Sequence, residues 1–205
     1  MNGNTEKNET EKAGLFSRFK AFWKGNSDTV SKLYIHQFGL TVFGILLYHA
    51  AAASGNVPLT VGLGIFSALF YLVLIYVLAW DVGAKDKIRI EGGRLKLDKF
   101  KGARLAALGM LPNLFIAALA LIGFILKVAT GLDFATGLYG ISQLVGVYLN
   151  GMYLGIGDVT GIAYQPYYLF VICLPCIAVC GAGYRLGTLE RFGVLTGRPY
   201  NGKKR

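Results

Sequence analysis

The 205 residues are 54% hydrophobic and only 16% charged, with a net charge of +10. Soluble domains are about a quarter charged, and here the apolar residues gather in long uncharged runs, which excludes a soluble enzyme of ordinary composition. The basic residues accompany no nucleic-acid recognition fold, which excludes nucleic acid as the expected partner.

Residues 1–12 are polar and have nothing to bury, so they read as disordered, with no apolar core of a cleavable signal. In residues 13–25, Leu15, Phe16, Phe19, Phe22 and Trp23 recur at spacings of three and four, with basic residues elsewhere. That pattern predicts an amphipathic helix lying in the membrane interface. Four runs then approach the roughly 20 apolar residues a spanning helix needs: 33–54, 57–80, 105–126 and 166–184.

The first run contains both histidines, His36 near its inner edge and His49 near its outer end. Thirteen residues of helix separate them by about 20 Å, too far to share a metal. Gly55 and Asn56 leave room only for a tight antiparallel connection to the second run. The third run carries Pro112 and Asn113, which predict a kink and a buried polar contact.

Residues 81–104 are the long charged stretch between the two apolar halves. Ile88 and Ile90 alternate with charged residues, as do Leu95 and Leu97, and Gly92-Gly93 lies between. Alternation about a Gly-Gly pair predicts a small β-hairpin. Six Lys and Arg precede residue 33, eight lie in 81–104 and six follow residue 184, leaving only Lys127 elsewhere. By the positive-inside rule, both termini and the central loop belong on the cytoplasmic side, facing an anionic lipid leaflet.

Residues 127–165 are apolar but interrupted by Gln143, Asn150 and many glycines. A fifth span would also carry the basic tail to the outside, so this stretch reads as an interfacial or re-entrant outer segment, helical over about 138–150.

All three cysteines lie in the last run. Cys173, Cys176, Cys180, Gly183 and Gly187 follow a three-four spacing that puts five small residues on one helix face, the pattern of close helix packing. The Cys173-Leu174-Pro175-Cys176 segment also has the C-x-x-C spacing of redox motifs. In that motif and in its helix count, the chain is similar to the four-helix membrane thiol oxidoreductases of the vitamin K epoxide reductase type. The resemblance implies Cys173 and Cys176 as the redox pair and a quinone as the oxidant. The second, outward cysteine pair of that group has no counterpart here.

The expectation is an all-α membrane protein: a cytoplasmic tail (1–32), a four-transmembrane-helix domain (33–184) and a basic cytoplasmic tail (185–205), in the cell membrane. The expected role is non-enzymatic, as an accessory or assembly subunit or a homo-oligomer. A thiol oxidoreductase, or a small transporter or channel around Pro112, Asn113 and the glycine-rich outer segment with a cavity lined by Asn113, Gln143 or His49, stands as the alternative; His36, His49, Asn113 and Gln143 are the candidate intramembrane polar positions. No metal site and no cofactor are expected from the residues themselves, and the expected partners are the bilayer and another protein or a second copy.

Overall fold

The computed structural model describes residues 3–190, with side chains from Gly14 onward except Leu15, Phe16, Arg18 and Ala21. The described chain is helical throughout: α1 (Gly3–Ala53), α2 (Val57–Glu91), α3 (Lys101–Gly109), α4 (Leu111–Thr130), α5 (Asp133–Leu149), α6 (Leu154–Val159), α7 (Tyr168–Val171) and α8 (Cys173–Thr188). Four helical segments are long and apolar enough to cross a membrane: Phe22–Ala53, Val57–Glu91, Leu111–Thr130 and Tyr168–Thr188.

Each helix break has a local cause. The α1–α2 connection turns at Gly55 with φ +66°, and the Asn56 side chain accepts the Leu59 N–H at 3.1 Å to cap α2. Pro112 cannot donate to the carbonyl four residues back, and the third span accordingly divides into α3 and α4 at Met110. Pro175 does the same to the last span. Its missing N–H leaves the Val171 carbonyl without that helical donor, and α7 gives way to α8 at Ile172.

The expected β-hairpin is not present. Residues 88–91 are the last turn of α2, and no strand occurs among the described residues. The Gly-Gly pair does use a positive φ, but as a helix terminator. Gly93 has φ +69°, its N–H donates to the Ile90 carbonyl at 3.0 Å, and the Arg94 N–H donates to the Arg89 carbonyl at 2.9 Å. This is a Schellman cap. Helix wins over strand here because Ala79, Gly83 and Asp86 continue the buried face of α2 at helical spacing, and the Lys85–Asp81 and Lys87–Glu91 pairs fall at i,i+4.

The amphipathic stretch 13–25 also differs from expectation. It is not a separate helix but the extension of the first span, since α1 runs unbroken for 51 residues. Phe22 packs against the core, whereas Phe19 and Trp23 are exposed. The Leu15 and Phe16 side chains lie outside the described residues.

The helices run alternately between two ends. At the first, the basic end, Leu33 packs on Gly109, Tyr184 reaches Asp86, and Lys87 pairs with Glu190 at 2.8 Å. At the opposite end lie the 53–57 and 130–133 turns. From there α5 runs back antiparallel to α4, with Gly123 against the Tyr139 backbone. It descends only to the level of Thr41, whose hydroxyl donates to the Leu149 carbonyl at 2.7 Å, and of Asn113, whose amide approaches Asn150 at 3.4 Å. The chain turns there through a 3-10 helix at Gly151–Tyr153 and returns along α6 to Tyr48, near the end it came from. The helix is longer than the expected 138–150, and the segment enters and leaves at the same end.

Candidate functional site

Three polar clusters lie along this frame. At the basic end, Asp86 of α2 is enclosed by α3 and α8. Its Oδ2 accepts from Lys101 Nζ at 2.5 Å and from the Tyr184 hydroxyl at 3.0 Å, and Arg89 Nη1 lies 3.6 Å from Oδ1. The Asp86 side chain is 3% exposed and that of Lys101 13%. An ionised carboxylate so far from water needs these donors, because an unpaired buried charge is costly. The backbones close around it. A Cβ on Gly83 would collide with the Tyr184 carbonyl oxygen, and one on Gly187 with that of Trp80.

At mid-depth are the cysteines. Cys173, Cys176 and Cys180 are free and buried. Cys173 Sγ donates to the Leu169 carbonyl at 3.2 Å, and the Tyr71 hydroxyl donates to Cys176 Sγ at 3.1 Å. The gap beside Cys176, between Tyr71 and Met110, has no room for water. Cys180 and Gly183 continue the same buried face. Thiol exchange needs a thiolate and access to it, and this packing provides no path. Asn113 is buried near this level, its amide directed at Met110 Sδ (3.3 Å) and Asn150 Oδ1 (3.4 Å).

At the opposite end a cavity of about 460 Å³ opens between α1, α5 and the 158–164 turn. Asp158 stands in its wall. The Tyr48 hydroxyl donates to Oδ2 at 2.7 Å and the Tyr164 hydroxyl to Oδ1 at 2.6 Å. These bonds hold the carboxyl below its ordinary value and push the Tyr164 phenol up. Tyr139 and Tyr148 complete an aromatic lining, and Leu144, Val147 and Leu154 supply an apolar floor. The rings are fixed: the Tyr139 hydroxyl donates to the Tyr164 carbonyl at 2.8 Å, and Tyr148 stacks on His49 with centroids 6.3 Å apart.

Gln143 also lines this cavity. Its Nε2 donates to the carbonyls of Ala163 at 2.6 Å and Gln165 at 3.2 Å, which fixes the amide orientation. Its Oε1 is buried with no partner, a state that costs about 1–3 kcal/mol.

The structure therefore separates the polar residues singled out in the sequence. His49 and Gln143 belong to the cavity region and Asn113 to the mid-depth core. His36 is exposed near the basic end, its ring Nδ1 2.7 Å from the Lys32 carbonyl. Among the described residues no group of three or more His, Cys, Asp or Glu could hold a metal. Asp86, Asp158 and their tyrosine partners were not foreseen. Asp158 and Tyr48 are 110 residues apart in sequence, and no motif joins them. Comparison with protein-family models, curated proteins and solved structures gives no match.

Proposed function

We propose that this is a four-span integral protein of the cell membrane, with both termini and the 81–104 loop in the cytoplasm, that acts by binding and assembly rather than by catalysis. The observation that carries the reading is the distribution of charge over the fold. Large exposed apolar side chains such as Ile35, Leu46, Phe66, Leu69, Phe115 and Leu174 cover the flanks of the long helices. The described basic residues gather at one end, with Lys127 the exception. An apolar belt with a basic rim on one side fits a bilayer with its anionic leaflet on the basic side.

The buried, hydrogen-bonded thiols favour the packing role of Cys173, Cys176 and Cys180 over a redox pair. The cavity at the opposite end favours a binding function there.

The test is topology and assembly together. Reporter fusions after residues 55, 95, 131 and 190 should be active on the outer side at 55 and 131 and on the inner side at 95 and 190. Native mass spectrometry of protein purified in mild detergent should then show a defined oligomer or a bound protein. Reporters at 55 and 95 on the same side, or extraction of the protein by alkaline carbonate, defeats the membrane reading. A disulfide between Cys173 and Cys176 in freshly purified protein defeats the non-catalytic one.

A further inference from the structure

We propose that the cavity between α1, α5 and the 158–164 turn binds a lipophilic ammonium cation. The lining supplies what such a ligand needs. Asp158 is the one carboxylate in the wall, and its two phenol donors come from different parts of the chain, Tyr48 on α1 and Tyr164 in the turn. A carboxylate has about four acceptor positions, so two hydrogen bonds leave capacity for an N–H or a contact with a quaternary head. The hydroxyls of Tyr48 and Tyr164 are held on the carboxylate and that of Tyr139 on a backbone carbonyl. With their hydroxyls so engaged, these lining rings offer a ligand aromatic surface, which attracts cations. The Tyr139 ring already takes part in one such contact outside the lining: Lys127 Nζ stands 5.6 Å from its centroid.

The remaining lining is aliphatic, from Leu144, Val147, Leu154 and Ala163, and suits the apolar body of an amphiphile rather than a hydrated metal ion. The volume of about 460 Å³ lies within the range of small-molecule sites. Gln143 shapes the same wall. It is 7% exposed and carries the unpartnered Oε1, oriented away from the two carbonyls that hold its Nε2. Buried amide oxygens ordinarily have a donor.

The ammonium group can come from a free amine or from the headgroup of an aminophospholipid. The experiment uses the full chain in nanodiscs of phosphatidylglycerol alone, which carry no ammonium headgroup. Phenethylammonium is titrated calorimetrically, with 2-phenylethanol as its uncharged counterpart. Saturable binding of the amine, at least about tenfold tighter than the alcohol and weakened about tenfold in Asp158→Asn, supports the site. Attraction of the amine to the anionic lipid is common to both variants and cancels in that comparison. Tyr148→Leu removes one ring and leaves the Tyr48 and Tyr164 hydrogen bonds to Asp158 in place. It should weaken the amine severalfold, and it decides the matter if Asp158→Asn does not fold. Repeating the titration in discs containing phosphatidylethanolamine separates the sources: competition identifies the headgroup as occupant, and unchanged affinity identifies a free amine. No saturable heat, equal affinity for amine and alcohol, or wild-type affinity in a folded Asp158→Asn or Tyr148→Leu protein overturns the proposal. None of these outcomes depends on the topology assay, so this site and the membrane reading fail separately.

Discussion

The two ends of the molecule handle buried polarity differently. At the basic end, Asp86 is met by Lys101, Tyr184 and Arg89, and α2, α3 and α8 approach so closely that glycines stand at the contacts. At the opposite end the chain is broken into short helices and a cavity opens. The buried side-chain atoms without a partner among the described residues are Ser67 Oγ, Gln143 Oε1 and Tyr153 Oη. Gln143 lines the cavity, and Tyr153 packs on Tyr71 at mid-depth, so none of the three belongs to the basic end. A fully satisfied network fixes one arrangement, whereas buried groups without partners leave their surroundings less constrained. The basic end is the clamp of the fold, and the other end carries the cavity.

The sharpest way to break this comparison is to remove the clamp. Asp86→Ala leaves Lys101 largely enclosed without its carboxylate, and losing one member of such a pair costs about 3–5 kcal/mol. The expected result is a large drop in melting temperature or loss of monodisperse protein in detergent. A drop no greater than that of an exposed ion pair would contradict the assignment. Gly83→Ala comes next. Its new methyl meets the Tyr184 carbonyl oxygen, which is backbone and cannot swing aside. Overpacking of this kind costs about 1–3 kcal/mol, read by the same melting curves.

Ser67→Ala sharpens the contrast in the other direction. The hydroxyl it removes is buried and without a partner, so the substitution should leave stability unchanged or raise it by about 1 kcal/mol. A destabilisation of that size would mean that Ser67 has a partner and that the molecule away from the basic end is better satisfied than the comparison holds.

The difference between the ends also explains what the sequence disclosed. The four long apolar helices were legible because bilayer thickness imposes about 20 apolar residues, and Pro112 announced the break before α4; the break before α8 at Pro175 was not read from the sequence. The charge-free run between Asp133 and Asp158, interrupted by Gln143, Asn150 and glycines, was legible as an interfacial or re-entrant segment, and the structure shows the chain turning back there. The hairpin was misread because Ile88 and Ile90 alternate as well on a half-exposed helix end as on a strand, and because Gly93 needs a positive φ in either structure. Only the burial of Asp86 against α8 settles the choice, and that contact joins residues 98 positions apart. The cavity was not legible for the same reason. Tyr48, Asp158 and Tyr164 carry no local pattern, so their meeting is a property of packing. Gln143 was recognised as a polar residue in an apolar run, but its role depends on carbonyls that the chain brings back 20 and 22 residues later.

The smallest effect expected is a pH dependence centred on Asp158. Its carboxyl is held below its ordinary value of 3.8 by the hydroxyls of Tyr164 and Tyr48. A depressed carboxyl contributes stability that is complete above the unfolded value and is lost as pH falls through the folded one. The Tyr164 phenol is raised above its ordinary 10.0 by the same hydrogen bond, so its contribution is complete below that value and lost at higher pH. Both shifts describe one interaction and are not counted twice. Melting temperature should therefore show a plateau between about pH 4 and pH 10, with losses below and above it that shrink in Tyr164→Phe. The test is made on the Asp158→Asn protein. There the acid limb should flatten, because the carboxyl held by the Tyr48 and Tyr164 hydroxyls is gone. An acid limb of undiminished depth in a folded Asp158→Asn protein would place the acid sensitivity of the molecule outside the cavity.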